Sequence, residues 1–336
     1  MVIKHIPEDF IVQEALVTDS SFADEHLPYL LFTLHKKGYS TFDAQIFIEK
    51  YFGIDETATA GLKDSDGVTT QKITVSAKYS FMLGKLAEFN KDAVSENKFI
   101  SLSFLGYTAQ PLKIARLEGN VFRLKLRDMD PETAKRWYST QIYDLTYPNY
   151  FDKQRFGMPN HPKLSHRIGI ALAEKDYKKA YGYLKESGLP EADLLCNEDY
   201  EKLFEETYDP RKRMFFNSAR YSYEFNTQLG NILKNSGPVC TVEDENIRFV
   251  MPAEKKTLAS LFAQDFPERM IRTSGEKTPE QSLPRKLLTH TRINFLACEP
   301  DEFFPGRSVL TVSFFLPMGA YATMAMKQLA IFLGES

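Results

Sequence analysis

The chain counts 336 residues, 43% of them hydrophobic and 26% charged, with a formal net charge of −3. That length predicts two domains with ordinary globular cores, and no apolar run approaches a membrane span. The weakly acidic balance excludes nucleic-acid binding by bulk basicity, so any such surface must come from uneven charge distribution.

The amino end, residues 1–14, reads as a strand rather than a signal peptide, with Pro7 forcing an extended or bulged start. A second apolar strand is expected over 30–34. The spacing then predicts a helix over 42–52, capped by Ser40 or Thr41 and stopped by Gly53. A strand follows over 68–76. Residues 120–127 alternate, with Phe122, Leu124 and Leu126 facing one way and Arg123, Lys125 and Arg127 the other. Asp130-Pro131-Glu132 starts a helix predicted to reach about Tyr143, before Pro148 breaks the chain. A helical period over 167–187 stops at Gly188 and Pro190, and 215–235 predict another helix ending at Gly237-Pro238. Residues 273–285, polar with Gly275, Pro279 and Pro284, read as a connector. A strand over 309–316, a turn at 317–319 and a helix to about Phe332 close the chain.

The three cysteines, Cys196, Cys240 and Cys298, are far apart and form no CxxC pair. Reduced thiols in a cytoplasmic protein are expected, with no zinc ribbon. The six histidines lack metal-ligand spacing, His161 and His166 included, so no metal is expected. Glu8 and Asp9 are strand neighbours facing opposite sides, which argues against a glycosidase pair and for Asp9 as a structural hydrogen-bond partner.

The loop Ala60-Gly61-Leu62-Lys63-Asp64-Ser65-Asp66-Gly67 places a carboxylate, Asp64, between two predicted strands, with Lys63 beside it and two glycines to ease the turn. A carboxylate kept ionised and facing a cleft is what a nucleophile or base needs. Taken alone, Asp66-Gly67 is equally a hairpin turn. The loop also has a partial likeness to a calcium loop, suited to a metal-dependent hydrolase, but it lacks the downstream ligands and the bidentate glutamate.

Three further blocks accompany it in order. They are Lys4-His5-Ile6-Pro7-Glu8-Asp9-Phe10-Ile11-Val12-Gln13-Glu14, Pro148-Asn149-Tyr150-Phe151-Asp152-Lys153-Gln154-Arg155-Phe156-Gly157 and Leu316-Pro317-Met318-Gly319-Ala320-Tyr321-Ala322-Thr323. Weaker echoes lie at Glu25-His26, at Lys36 with Gly38 and Thr41, and at Gly119-Asn120-Val121-Phe122. Together the blocks resemble the TruD family of RNA pseudouridine synthases. The resemblance implies an α+β fold: a pseudouridine synthase core of mixed, largely antiparallel sheet flanked by helices, carrying an inserted TruD-type α/β domain. The core is expected to comprise residues 1–157 and 291–336, and the insertion 158–290. The implied reaction isomerises a uridine of tRNA to pseudouridine, with uridine 13 in the D-arm region expected, tRNA as partner and no cofactor. A monomer is the default. A non-catalytic RNA-binding protein that keeps the fold, or a synthase acting on other RNA, is the alternative.

That reaction breaks the uracil N1–C1′ bond, turns the base and rejoins it through C5, with no redox or metal step. It asks for a carboxylate, a cation that keeps it ionised, an aromatic wall and a way to extrude the nucleotide. Residue by residue, the resemblance implies Asp64 as the catalytic carboxylate and Lys4 as the ammonium beside it. It implies Asn149 and Phe151 in the base pocket, where a ring offers a stacking face and an asparagine can read the uracil edge. Tyr150 and Phe151 also suit core aromatics after the proline break. Arg155 is expected either to bind substrate or to anchor its loop. Asp152 stands where the family usually has glycine, Ser40 where asparagine is common and Ala115 where glycine is common. For phosphate contact the expected residues are Arg123, Lys125 and Arg127, and the run Arg211-Lys212-Arg213 with Arg220, each against the alternative of a solvated face.

Overall fold

The computed structural model describes residues 1–16, 20–21, 25–63, 65–113, 117–158, 161–262, 268–275 and 278–334. The chain forms two compact units, Met1–Asp144 with Thr291–Gly319 and Leu145–His290 with Ala320–Ser336.

The first unit begins with β1 (Val2–Ile3), a 3-10 turn at Pro7–Asp9 and β2 (Phe10–Leu16). It continues through β3 (Ser20–Ser21), β4 (Tyr29–Lys37), α1 (Thr41–Phe52), β5 (Thr57–Thr59) and β6 (Val68–Ser76). Then come α2 (Leu86–Asp92), β7 (Phe99–Thr108), β8 (Leu117–Met129), α3 (Pro131–Ser139) and β9 (Ile142–Pro148). The middle of the chain supplies α4 (Ser165–Ala173), α5 (Tyr177–Glu186), the short α6 (Tyr200–Lys202) and the long α7 (Pro210–Ser236). It ends with β10 (Val239–Asp244), β11 (Ile247–Pro252), α8 (Lys255–Phe262), β12 (Glu268–Gly275), β13 (Thr278–Lys286) and β14 (Leu288–Pro300). β15 (Ser308–Pro317) and α9 (Ala322–Leu333) finish the chain.

An eleven-stranded sheet runs β3-β7-β4-β6-β2-β8-β15-β14-β9, with β1 on β8 and β5 on β6. β2 lies parallel to β6, whereas β4 on β6 and β7, and β8 on β2 and β15, are antiparallel. One face of β4, β6 and β7 carries the first core: Leu30, Phe32, Leu34, Ile73, Ile100 and Leu102 pack with Ile48 and Phe52 of α1 and Phe89 of α2. Burying each such side chain stabilises the fold by about 1.5–3 kcal/mol. α1 has the ends its sequence announces. Ser40 accepts from the backbone of Asp43, and Gly53 closes the helix in the left-handed region at φ 65°.

In the second unit α4, α5 and α7 enclose a separate core of Ile168, Ala171, Ala180, Leu184, Phe204 and Phe216. Two predicted helices are corrected. The period over 167–187 is two helices, separated where Lys175 takes φ 57°. The helix starting at Pro131 stops at Ser139, because Gln141 takes φ 60° and Tyr143 already belongs to β9. Of the segment 273–285, read as a connector, residues 273–275 and 278–285 lie in the antiparallel ribbon of β12 and β13, a two-stranded setting in which prolines are tolerated. The insertion expected over 158–290 lies within the second unit, which also takes in 145–157 and 320–336.

Candidate active site

Two of the four sequence blocks meet in the first unit. β2 enters alongside β6 in the register Ile11↔Val68, Val12↔Thr69 and Gln13↔Thr70, so the amino end runs beside the strand that leaves the Asp64 loop. Lys4 reaches that loop: its Nζ donates to Asp66 Oδ2 at 2.9 Å and lies 4.0 Å from the centroid of the Phe10 ring. Its backbone adopts φ 62°, a conformation that costs an L-residue roughly 1–2 kcal/mol. Gly67 is required for contact. A Cβ there would stand 2.6 Å from the Phe10 carbonyl oxygen. Asp64 itself lies outside the described residues.

The residues on either side of it are anchored. The Lys63 amide donates to Thr41 Oγ1 at 2.8 Å, its carbonyl accepts from Lys36 Nζ at 3.3 Å, and Gly38 N donates to the Ser65 carbonyl at 3.2 Å. Gln71 Nε2 donates to the Gly61 carbonyl, and Thr41 Oγ1 to Gln71 Oε1. The Lys63 side chain is buried against Glu14, with Nζ 3.1 Å from Oε1, and Glu14 Oε2 accepts from the Lys72 amide at 2.9 Å. Lys63, the cation nearest to Asp64 in sequence, is thus engaged inside the fold with Glu14.

The other two blocks meet in the second unit. Asn149 is buried: its amide donates to the Leu287 carbonyl, its Nδ2 to the Lys286 carbonyl, and its Oδ1 accepts from Arg285 Nη2 at 3.0 Å. Phe151 is clipped by Asn226, which accepts from its amide at 2.9 Å and donates to its carbonyl at 2.8 Å. Its ring meets the edges of Phe225 and Tyr321, the latter from the carboxyl-terminal block. The Arg285 guanidinium lies 3.8 Å from the Phe151 centroid, and burial pulls its pKa down to about 10. Arg155 donates to Ser218 and Ser222 of α7. Tyr150 is a core aromatic, its hydroxyl donating to the Val250 carbonyl at 2.7 Å.

Asp152, in the family's usual glycine position, has φ −79°, so no left-handed backbone is demanded there. Its buried carboxylate accepts from Thr323 and, at 3.1 Å, from Lys327, whose ammonium also meets Asp244 at 2.7 Å. Lys153 joins Asp244 to Glu245. Burial disfavours the Asp244 charge, but Lys153 and Lys327 overcome it and hold its pKa below the usual carboxylate range.

The expected phosphate contacts fare unevenly. Arg123 is exposed and Lys125 half-buried, with Glu302 at 3.9 Å. Arg127 is no part of a basic face. It is fully buried, binding Asp9 at 2.7 Å, Asp301 at 3.0 Å and Glu302 at 2.9 Å, with Phe303 under its guanidinium. The alternation fails because β8 and β15 lose register between Leu310↔Leu126 and Ser308↔Met129, which leaves consecutive residues Leu126 and Arg127 both inward. The hydrogen bonds to Asp9 and Glu302 raise the Arg127 pKa, and the same contact draws Glu302 down to about 2. Arg213 pairs with Glu205 and the Phe204 carbonyl. The side chains of Arg211 and Lys212 lie outside the described residues, as does Ala115. Arg220 contacts Asn217 and Glu224.

Asp9 is the structural partner expected of it, and Glu8 pairs with Lys37. His161 bonds the Ser187 carbonyl, while His166 is stacked on Tyr223 at 4.3 Å and burial lowers its pKa to about 4. Among the described residues no group of three or more His, Cys, Asp or Glu is placed to hold a metal ion. Nor is any helix among them long and apolar enough to cross a membrane. Sequence reasoning missed Arg285, which sits among prolines and polar residues without periodicity. Glu14 and Lys36 were inside quoted blocks, but nothing in their spacing gave their partners.

The sequence profile described as tRNA pseudouridine synthase D (TruD) matches residues 1–193. A protein of Thermococcus sibiricus named probable tRNA pseudouridine synthase D is 34% identical over 65% of this chain and 51% of its own length. The tRNA pseudouridine synthase D of Sulfurimonas denitrificans is 34% identical over 80% of this chain and 64% of its own. The chain therefore spans about half to two thirds of these two relatives. A probable tRNA pseudouridine synthase D of Methanocaldococcus jannaschii, 25% identical, is matched over 99% of this chain and 92% of its own. In fold, the chain is similar to the crystal structure of a protein from Methanosarcina mazei titled putative tRNA pseudouridine synthase D, with a TM-score of 0.62, 18% identity and coverage of 99% and 93%.

Proposed function

This chain belongs to the TruD family, tRNA pseudouridine synthase D, and from that premise we propose that it isomerises one uridine of tRNA, uridine 13 in the D-arm region, to pseudouridine. Asp64 is the catalytic carboxylate. In the reaction the C1′–N1 bond breaks, a C1′–C5 bond forms, the C5 proton leaves and N1 regains a proton. Atoms and electrons balance without a co-reactant. The carboxylate acts by covalent attack on the sugar or by assisting proton abstraction during glycal formation, and the ammonium of Lys4 favours its ionised form. Phe151 supplies the ring on which the extruded base stacks, and Asn149 and Arg155 belong to the same pocket. The catalytic domain comprises 1–157 and 291–336, with 158–290 inserted. Arg123, Lys125, Arg211 and Arg213 are left as phosphate contacts, and the enzyme works in the cytoplasm.

The observation that carries this reading is the arrival of Lys4 at the loop, on Asp66, two residues from Asp64. A strained lysine backbone at that point is what a functional constraint leaves behind. Asp66, held by Lys4, is poorly placed to serve as a metal ligand, and full activity in chelator is expected. The test is pseudouridine mapping of bulk RNA from cells with and without the protein, alongside tritium release from 5-labelled tRNA transcripts. The reading expects one tRNA position to lose pseudouridine, and release to vanish from transcripts with cytidine at position 13. An unchanged map, or release from no transcript, defeats it.

A further inference from the structure

Arg285 draws together the two residues that the motif loop offers to a base. Its Nε and Nη2 donate to the Asn149 carbonyl at 3.2 and 2.9 Å, and Nη2 also donates to Asn149 Oδ1 at 3.0 Å. Its guanidinium lies 3.8 Å from the centroid of the Phe151 ring and 5.4 Å from that of Phe225. The Asn149 amide is committed on its other side as well, to the Lys286 carbonyl at 3.1 Å. Removing a guanidinium from water is costly, and burial lowers this one's pKa to about 10. A planar cation over a ring, with a fork of donors on one residue, fixes orientation in a way a flexible ammonium does not.

We propose that Arg285 is the positioning residue of the motif loop: it lies over the buried Phe151 ring and pins Asn149 Oδ1, fixing the ring that serves as the wall for a uracil. This rests on the base-pocket role given to Phe151 above. Arg285 acts through Phe151 and Asn149 and not as a phosphate ligand, so its loss misplaces the wall without weakening RNA binding. Displacements of about 1 Å in such a site cost on the order of 10²-fold in turnover.

The experiment compares Arg285→Lys and Arg285→Gln, the first keeping the charge and the second a planar donor without charge. kcat and KM are measured on a tRNA transcript by tritium release, and Kd by filter binding at two salt concentrations, below each variant's melting temperature. The expected result is a kcat loss of about 10²-fold for Arg285→Lys with Kd within about threefold, and a smaller loss for Arg285→Gln. In an Asn149→Ala background the lysine variant should cost little more, because the two side chains act as one unit. Full turnover by Arg285→Lys overturns the proposal. So does a loss carried by Kd with a salt dependence shallower by about one, the mark of a phosphate contact. Additive effects of Arg285→Lys and Asn149→Ala also overturn it. A wild-type enzyme that releases no tritium sinks the functional reading itself and is seen before any variant is made.

Discussion

In the first unit the cations around the motif residues meet carboxylates: Lys4 with Asp66, Lys63 with Glu14, and Arg127 with Asp9 and Asp301. In the second unit the arginines around Phe151 and Asn149 meet rings and neutral oxygens, Arg285 on Phe151 and Asn149, Arg155 on Ser218 and Ser222. Charge there is matched among other residues, in the chain Asp152–Lys327–Asp244–Lys153–Glu245. The difference separates two kinds of dependence. Cutting a buried ion pair leaves an uncompensated charge and costs stability. Cutting the ring-stacked guanidinium of Arg285 is expected instead to loosen geometry and lower turnover.

The largest expected loss of stability belongs to Arg127→Met, which strands the buried carboxylates Asp9 and Asp301 at a cost of about 3–5 kcal/mol. Trp137, the only tryptophan and buried in α3, reports unfolding of the first unit by its fluorescence in urea. A midpoint like that of the wild type would show that the network is dispensable. The same network predicts an acid limb. Glu302 has its pKa drawn from 4.5 to about 2 by the Arg127 hydrogen bond. Its stabilising contribution is therefore complete above about 4.5 and fades as pH falls toward 2, and Arg127→Met should flatten that limb.

Glu14→Gln comes next, because it weakens the hold on Lys63 and on the Lys72 amide. About 1–3 kcal/mol is expected for a hydrogen-bonded buried charge, with loss of activity as the loop anchors slacken. Asp152→Gly, which installs the residue usual in the family, removes the contacts to Thr323 and Lys327. It should cost about 1–3 kcal/mol, read by circular dichroism, with a smaller shift in Trp137 fluorescence. Coincident shifts of both signals would erase the contrast between the units.

The smallest stability change is expected for Lys4→Met. Its partner Asp66 is exposed, and such pairs contribute about 0–1 kcal/mol. Turnover should nonetheless fall sharply. A variant with wild-type tritium release would remove Lys4 from the mechanism.

Legibility followed local chemistry. Ser40 and Gly53 bound α1 because caps are written in adjacent residues, and β6 keeps its predicted limits, Val68–Ser76. The ends of α3 and α4 were hidden, because Gln141 and Lys175 take left-handed φ with no glycine to announce it. Arg127 was misplaced because period-two alternation assumes an unbroken ladder, and the irregularity opposite Ser308 is a property of two strands far apart in sequence. The motif blocks named Phe151 and Asn149. Arg285, which holds them, lies more than a hundred residues away, and only the fold supplies that pairing.

Asp64 is the residue on which the proposed chemistry depends most directly. Wild type and Asp64→Asn should be compared on 5-tritiated tRNA transcript, with RNA binding measured on the same preparations. The prediction is release by the wild type and none above background by the variant, with binding largely retained. Equal release by the two proteins would contradict it.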